Sequence, residues 1–254
     1  RGGTFSMATR WAVGIFAVAP ANATPIDPLT GITTGTDLSF KLLGVTTSSN
    51  TYGSEDTWGL GTITQITDAS TGTSIWSNGV TNGYLNYIIY GITDISTIIN
   101  ASDVSVDSNN VHIDIYLSSA PMDLSGGPIV RTGLSTYPGI NTGDLWLSLV
   151  LAPGCDPNNP AATLCQTLQT NTDPANGHGS FAAATITDGL AQYELADLFG
   201  IFDIQTALPG NQTAFKPSGA CNSAGADLNN CFDEVISDPV SATKVPEPSS
   251  LSIM

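Results

Sequence analysis

The segment Val111-His-Ile-Asp-Ile-Tyr-Leu117 decides the fold class of this chain. Its residues alternate between apolar and polar with a period of two, which is the pattern of a half-buried β-strand. The four apolar residues are predicted to face the core. The three polar or amphipathic residues between them, His112, Asp114 and Tyr116, are predicted to face out.

Seven further segments have the same β-rich character and are separated by turn residues. They are Asp37–Leu43, Thr62–Thr67, Thr73–Trp76, Tyr84–Ile92, Leu145–Leu151, Ser180–Ile186 and Gln192–Ile204. The last segment is predicted to begin with a helical turn at Tyr193–Phe199. Short strands at this spacing predict an all-β fold, either a β-sandwich or a flattened barrel of short antiparallel strands.

The charge balance excludes several classes of function. Only 11% of the 254 residues are charged, and 22 Asp and Glu against 6 Lys and Arg give a net charge of −16. Such a chain repels phosphate backbones, so nucleic acid is not a predicted partner, and no polybasic segment is present to hold a membrane surface. Hydrophobic residues still make up 41% of the chain, which is enough to build a core. The composition is typical of a secreted protein.

Residues 1–24 have two interpretations. Arg1 and Arg10, the apolar run 11–19 and the small residues of Ala21-Asn-Ala23 together have the form of an export signal. Alternatively, residues 4–19 form a retained strand with Trp11, Val13, Ile15 and Ala17 on one face. Such a strand belongs either to the protein's own sheet or, as an exchanged strand, to the sheet edge of a neighbouring subunit.

Four cysteines predict disulfide-closed loops. Cys155 and Cys165 bracket a loop rich in Pro and Asn, and Cys221 and Cys231 bracket one rich in Asn and Gly. Four cysteines allow three connectivities, and the equal spacing makes local pairing the simplest of them. Zinc is disfavoured because neither spacing is a short knuckle and no histidine lies nearby.

The tail Lys244-Val-Pro-Glu-Pro-Ser-Ser-Leu251 resembles the sorting signal of PEP-CTERM proteins, which are secreted bacterial substrates of exosortases. Val245, Pro246, Glu247 and Pro248 match the motif residue by residue, whereas the apolar stretch and arginine cluster that follow it in the family are missing here. The resemblance implies an extracellular or cell-surface location in a biofilm matrix, with membrane contact only before processing. It implies no catalytic activity.

Candidate chemical sites are few, and the chain is predicted not to be an enzyme and to need no cofactor. Its two histidines, His112 and His178, are assigned to an exposed strand position and a turn, and no nucleophile elbow is present. Calcium is a possible ligand because Asx residues cluster in two predicted turns. These residues are Asp103, Asp107, Asn109 and Asn110, then Asp227, Asn229 and Asn230.

The aromatic residues also have two interpretations, as core residues or as an exposed row that stacks on sugar rings. They are Trp58, Trp76, Tyr84, Tyr87, Tyr90 and Trp146. The sequence therefore predicts a segment 1–24, a β body 25–210, and a disulfide loop and sorting-type tail 211–254. The favoured function is a structural surface or matrix protein that forms a homopolymer. A monomeric exopolysaccharide-binding module is the alternative, and a secreted hydrolase ranks third.

Overall fold

The computed structural model describes residues 25–169, 176–206, 232 and 234–246. Residues 1–24 and the pair Cys221 and Cys231 lie outside these ranges. The described strands are β1 (Asp37–Thr47), β2 (Thr57–Asp68), β3 (Ser74–Ser77), β4 (Tyr84–Ile99), β5 (Asp103–Asn109), β6 (His112–Ser118), β7 (Asp144–Ala152), β8 (Leu164–Gln169), β9 (Asn176–Phe181), β10 (Ala183–Asp188), β11 (Leu195–Thr206) and β12 (Glu234–Lys244). One 3-10 turn, Pro128–Val130, interrupts a long connection. The predicted all-β fold is confirmed.

Each segment predicted as a strand overlaps a strand of the structure, and the helical turn predicted at Tyr193–Phe199 is wrong. A turn ends at Glu194, and β11 begins at Leu195. Asp197 has a φ of 53° where the β11–β12 register shifts, so the irregular spacing of apolar residues reflects a β-bulge.

The strands form one antiparallel sheet that closes on itself. Its order is β10-β7-β6-β4-β5-β8-β9-β11-β12-β1-β2-β3, and β2 also pairs with β4. The chain of pairings from β4 through β5 and β12 therefore returns to β4 through β2. Such a closed set of pairings, with β6, β7 and β10 branching from β4, has the form of a flattened barrel.

β4 spans two parts of this architecture. Its first part pairs with β2 on one edge and β6 on the other, and its last part, Thr93–Ile99, pairs with β5. β5 and β6 follow one another along the same edge, separated by Asn110 and Val111. Gly91, with a φ of 75°, lies where the first part ends, and it adopts this left-handed conformation without a Cβ clash.

The main core lies inside the closed sheet. The Phe40 ring of β1 and the Trp146 ring of β7 pack across it with centroids 6.3 Å apart. Tyr87 of β4 lies opposite Gly61 of β2, where a Cβ on the glycine would lie 2.2 Å from the tyrosine ring. An apolar cavity of about 50 Å³ remains between these strands.

A second core covers the outer face of β1, β2, β4 and β6. The connection 119–143 folds over this face, and its buried members and their sheet partners are Val45, Trp58, Leu60, Ile88, Leu124, Tyr137 and Ile140, with Phe232 beside them. The prediction that His112, Asp114 and Tyr116 face solvent is therefore wrong for Asp114, which is buried, and incomplete for the other two, which are half-buried. The residues lie on the face opposite the interior core, but a distant segment covers that face.

β12 lies between β1 and β11 in the sheet. Residues 234–244 are thus part of the β body, beyond residue 210 where the sequence analysis placed its end. Pro239 pairs with Lys41 of β1, but the β11–β12 register contains no pair at Pro239. Because β11 forms no pair at this position, the N–H that Pro239 lacks is not needed for a hydrogen bond on that side.

Candidate functional site

The covered outer face contains a buried ion pair between Arg131 of the connection and Glu55, which precedes β2. Arg131 Nη1 donates to Glu55 Oε1, and Nη2 donates to Oε2 at 3.2 Å. The guanidinium lies 4.2 Å from the Trp58 ring centroid and 5.1 Å from that of Tyr52, which adds cation–π contacts. This pair joins the connection 119–143 to the sheet.

The hydrogen bonds and the ion pair of the Glu55 carboxylate give it a structural role. Its Oε1 also accepts from the Tyr52 backbone N–H at 2.7 Å, and its Oε2 accepts from the Gly91 N–H at 2.8 Å. A surface depression of about 360 Å³ borders these groups and His112. Because Glu55 is held by an arginine and two backbone donors, it has no free lone pair directed for general-base chemistry.

A second polar cluster lies on the same face around Asp114 of β6. Tyr90 donates to its Oδ2 at 3.0 Å, and Ser148 donates to its Oδ1 at 2.7 Å. Burial, and then the charge of Asp114, raise the pKa of the Tyr90 phenol far above its usual value. His112 stacks on Tyr90 with ring centroids 5.3 Å apart. The cluster places no nucleophile beside a histidine base, so its geometry does not form a hydrolytic triad.

The first group of residues singled out for calcium does not form the predicted turn. Asp103–Asn109 is strand β5 and not a turn, a correction that follows from Val104 and Val106 at alternate positions. Asp103 accepts from Asn100 and Ser102, and Asp107 accepts from Asn159. Within the described ranges, no group of three or more His, Cys, Asp or Glu is arranged to hold a metal ion. The second predicted cluster, Asp227, Asn229 and Asn230, lies outside the described residues.

Two further predictions concern the cysteines and His178. Cys155 and Cys165 form a disulfide with Cα atoms 5.9 Å apart, as the spacing predicted. The pairing of Cys221 with Cys231 stays a prediction. His178 was assigned to a turn, but it lies in β9 opposite Asp203, because Gly177 and Gly179 pack here as strand residues.

The aromatic residues considered for a sugar platform are mostly core. Trp58, Trp76, Tyr87 and Trp146 are buried, while Tyr84 and Tyr90 are half-buried. The Tyr87 hydroxyl is buried without a hydrogen-bond partner among the described residues, and this burial raises its pKa. These side chains do not form an exposed row.

Half of the sorting-type motif is described. Val245 and Pro246 directly follow β12, while Glu247 and Pro248 lie outside the described residues. The preceding Lys244 is buried and pairs with Glu194, and the Val245 N–H donates to the Glu194 carbonyl oxygen at 2.9 Å. The fold therefore holds the chain firmly up to the first residue of the motif.

One exposed feature that the sequence analysis missed is an open sheet edge, in addition to the outer edges of the terminal strands β3 and β10. Pairing of β4 with β2 ends at Ile92, so Thr93–Ile99 pairs with a described strand on one side only, that of β5. We call this segment the open β4 edge. Its side chains Ile95, Ile98 and Ile99 are 39%, 56% and 76% exposed. The run Ile98-Ile99 next to a turn was the available signal.

The open β4 edge is also acidic. The Asp94 N–H donates to Asp56 Oδ2 at 2.8 Å, which brings the two carboxyl groups close together. Partial burial raises the pKa of Asp94, the Asp56 charge adds to this, and the Ser108 hydroxyl opposes it. An unpaired strand edge with exposed isoleucines is a template for another strand, and this one also attracts positive charge.

No family model, no curated protein and no solved structure matches this chain. In the described part of the chain, no helix is both long and apolar enough to cross a membrane.

Proposed function

We propose that this protein is an extracellular structural subunit that self-associates into a filament, sheath or matrix on a bacterial surface. The open β4 edge carries the proposal, because most proteins cover or shorten a strand edge that displays large apolar side chains, or interrupt it with proline or lysine. No proline or lysine interrupts Thr93–Ile99, in which Asp94 is the one charged residue. The resemblance of residues 245–248 to an exosortase sorting signal supports the surface location.

The stability features of the fold agree with this role. A disulfide, two ion pairs with buried cations and a second core reinforce one sheet. Two of the six Lys and Arg side chains of the protein are thus held in ion pairs within the chain. By contrast, the carboxylates with described geometry are turn caps, strand residues or ion-pair partners, so nothing favours the hydrolase. Buried aromatic residues give the exopolysaccharide-binding alternative no specific support.

Electron microscopy of the protein as isolated from cells tests the proposal. Ordered filaments or sheets are expected, and they should survive mild reduction, since the described disulfide is internal to one chain. Dispersed single particles at all concentrations would contradict the proposal. Pull-down with purified matrix polysaccharide would then test the alternative function, with heat-unfolded protein as the control.

A further inference from the structure

We propose that the open β4 edge accepts residues 4–19 of a second copy of this chain, so that subunits join head to tail. This inference rests on the proposed function and names the two surfaces that meet. The donated strand would pair with the backbone of Thr93–Ile99, beyond Asp94, whose N–H is already bonded to Asp56, and would cover the exposed isoleucines.

The acceptor is suited to strand addition. On one side Thr93–Ile99 is held by β5, which is itself paired with β8, so the edge belongs to an extended sheet and not to an isolated hairpin. On the other side its backbone has no strand partner among the described residues after Ile92. A main-chain ladder supplies affinity there, and Ile98 and Ile99 supply apolar contacts on the two faces.

The donor is complementary to this edge in pattern and charge. Residues 11–19 are an unbroken run of apolar residues and one glycine, which as a strand would place Trp11, Val13 and Ile15 on one face. Residues 1–24 contain two arginines and no acidic residue, while the rest of the chain holds all 22 Asp and Glu. The acidic pair at the edge, Asp56 and Asp94, therefore faces a partner of opposite charge.

The positions of donor and acceptor determine the geometry of assembly. The described chain begins beside the start of β4, because a Cβ on Gly83 would lie 2.7 Å from the Cβ of Pro25. The open edge lies at the other end of this strand of 16 residues, at most about 50 Å away. Two different surfaces at opposite ends make a heterologous contact that need not close, which generates a linear polymer.

Segment length permits this contact. Twenty-four residues in extended conformation reach roughly 80 Å, which exceeds the length of β4. Seven or more of them can therefore pair with Thr93–Ile99 of a neighbour while the remainder spans the subunit junction.

Complementary full-length variants test the inference. Val13→Asp with Ile15→Asp disables the donor and leaves the edge intact, while Ile98→Lys with Ile99→Lys disables the edge and leaves the donor intact. Each variant alone should form no filaments. Mixed together they should form one-to-one dimers and nothing longer, measured by light scattering after size exclusion.

Ile201→Lys is the matched control, because Ile201 is 65% exposed on β11, which has strands on both sides. It should assemble as the unmodified protein does. Circular dichroism checks that every variant folds. If the double edge variant does not fold, Ile98→Thr retains a β-branched residue and should raise the concentration for half-assembly about tenfold.

The outcomes separate the two proposals. Filaments from the unmodified protein, together with a mixture that stays monomeric, would overturn head-to-tail strand donation and leave the structural function standing. Loss of assembly in Ile201→Lys, but not in the folded edge variants, would place the contact on the β11 face instead. An unmodified protein that never assembles would overturn both proposals.

Discussion

Replacing Glu55 with Gln should release the connection 119–143 from the sheet. The change keeps the size of the side chain but leaves the Arg131 guanidinium, which is 2% exposed, without its counter-charge. It also places an amide N–H₂ where a carboxylate oxygen now accepts from a backbone N–H of Tyr52 or Gly91. A buried charge without its partner is far more costly than the intact pair is stabilising.

The expected loss in the free energy of unfolding is about 3–5 kcal/mol, the usual cost of removing one partner of a buried ion pair. Arg131 retains the Leu134 carbonyl oxygen and the Trp58 ring, which favours the lower half of that range. Urea denaturation measures the loss. The double variant Glu55→Gln with Arg131→Met should cost less than the sum of the two single changes, because the second change removes the unpaired charge.

Trypsin provides a local readout of the same perturbation. Arg131 is a cleavage site at the centre of the covering connection, and in the unmodified protein its side chain is buried. Cleavage after Arg131 should be slow in the unmodified protein and much faster in Glu55→Gln. Cleavage after Lys41, an exposed residue of β1, is the internal reference rate. A loss below about 1 kcal/mol, together with unchanged cleavage at Arg131, would refute the role assigned to this pair.

Three further changes test other parts of the structure. Tyr87→Phe removes a buried hydroxyl that has no partner among the described residues, so the urea midpoint should rise by the equivalent of about 1 kcal/mol; a lower midpoint would reveal a missed partner. Cys155→Ser opens the loop to Cys165 and should lower the unfolding free energy by about 2–3 kcal/mol, and an unchanged value would mean that the bridge constrains nothing. Burial, and then the charge of Asp123, raise the pKa of Tyr137 to about 12. Because the folded state holds this proton more tightly, stability should be lost as pH rises from about 10 to 12, and Tyr137→Phe should make that decline shallower in alkaline urea titrations.

The strands that the sequence predicted best are those in which apolar and polar residues alternate regularly. β1, β6 and β7 are such strands, and their alternating apolar residues contact the interior core. The sequence analysis missed β12 because a proline such as Pro239 argues against a central strand. The strand tolerates Pro239 because β11 forms no pair with it, and this depends on the tertiary structure. β5 was read as a turn because its Asx residues outnumber its two valines.

The candidate interaction surface was predicted only in part. The donor pattern in residues 4–19 is visible in the sequence, since an apolar run and the charge around it belong to contiguous residues. The acceptor was not visible, because an edge is open only where neighbouring strands end, and the end of β2 pairing at Ile92 is separated from Thr57 by 35 positions. In the local sequence of Thr93–Ile99, only the pair Ile98-Ile99 next to a turn is a signal, and it does not show whether the strand is paired on both sides.

Periodicity, turn residues, cysteine spacing and charge are local or compositional, and they were enough to establish an all-β acidic chain with a local disulfide. Which residues meet across long separations depends on how the sheet closes. The Glu55 and Arg131 side chains lie 76 positions apart and become a buried pair only when residues 119–143 fold over the outer face. That covering follows from the requirement that large apolar faces and buried backbone groups find partners, and which partners they find depends on the complete set of strands.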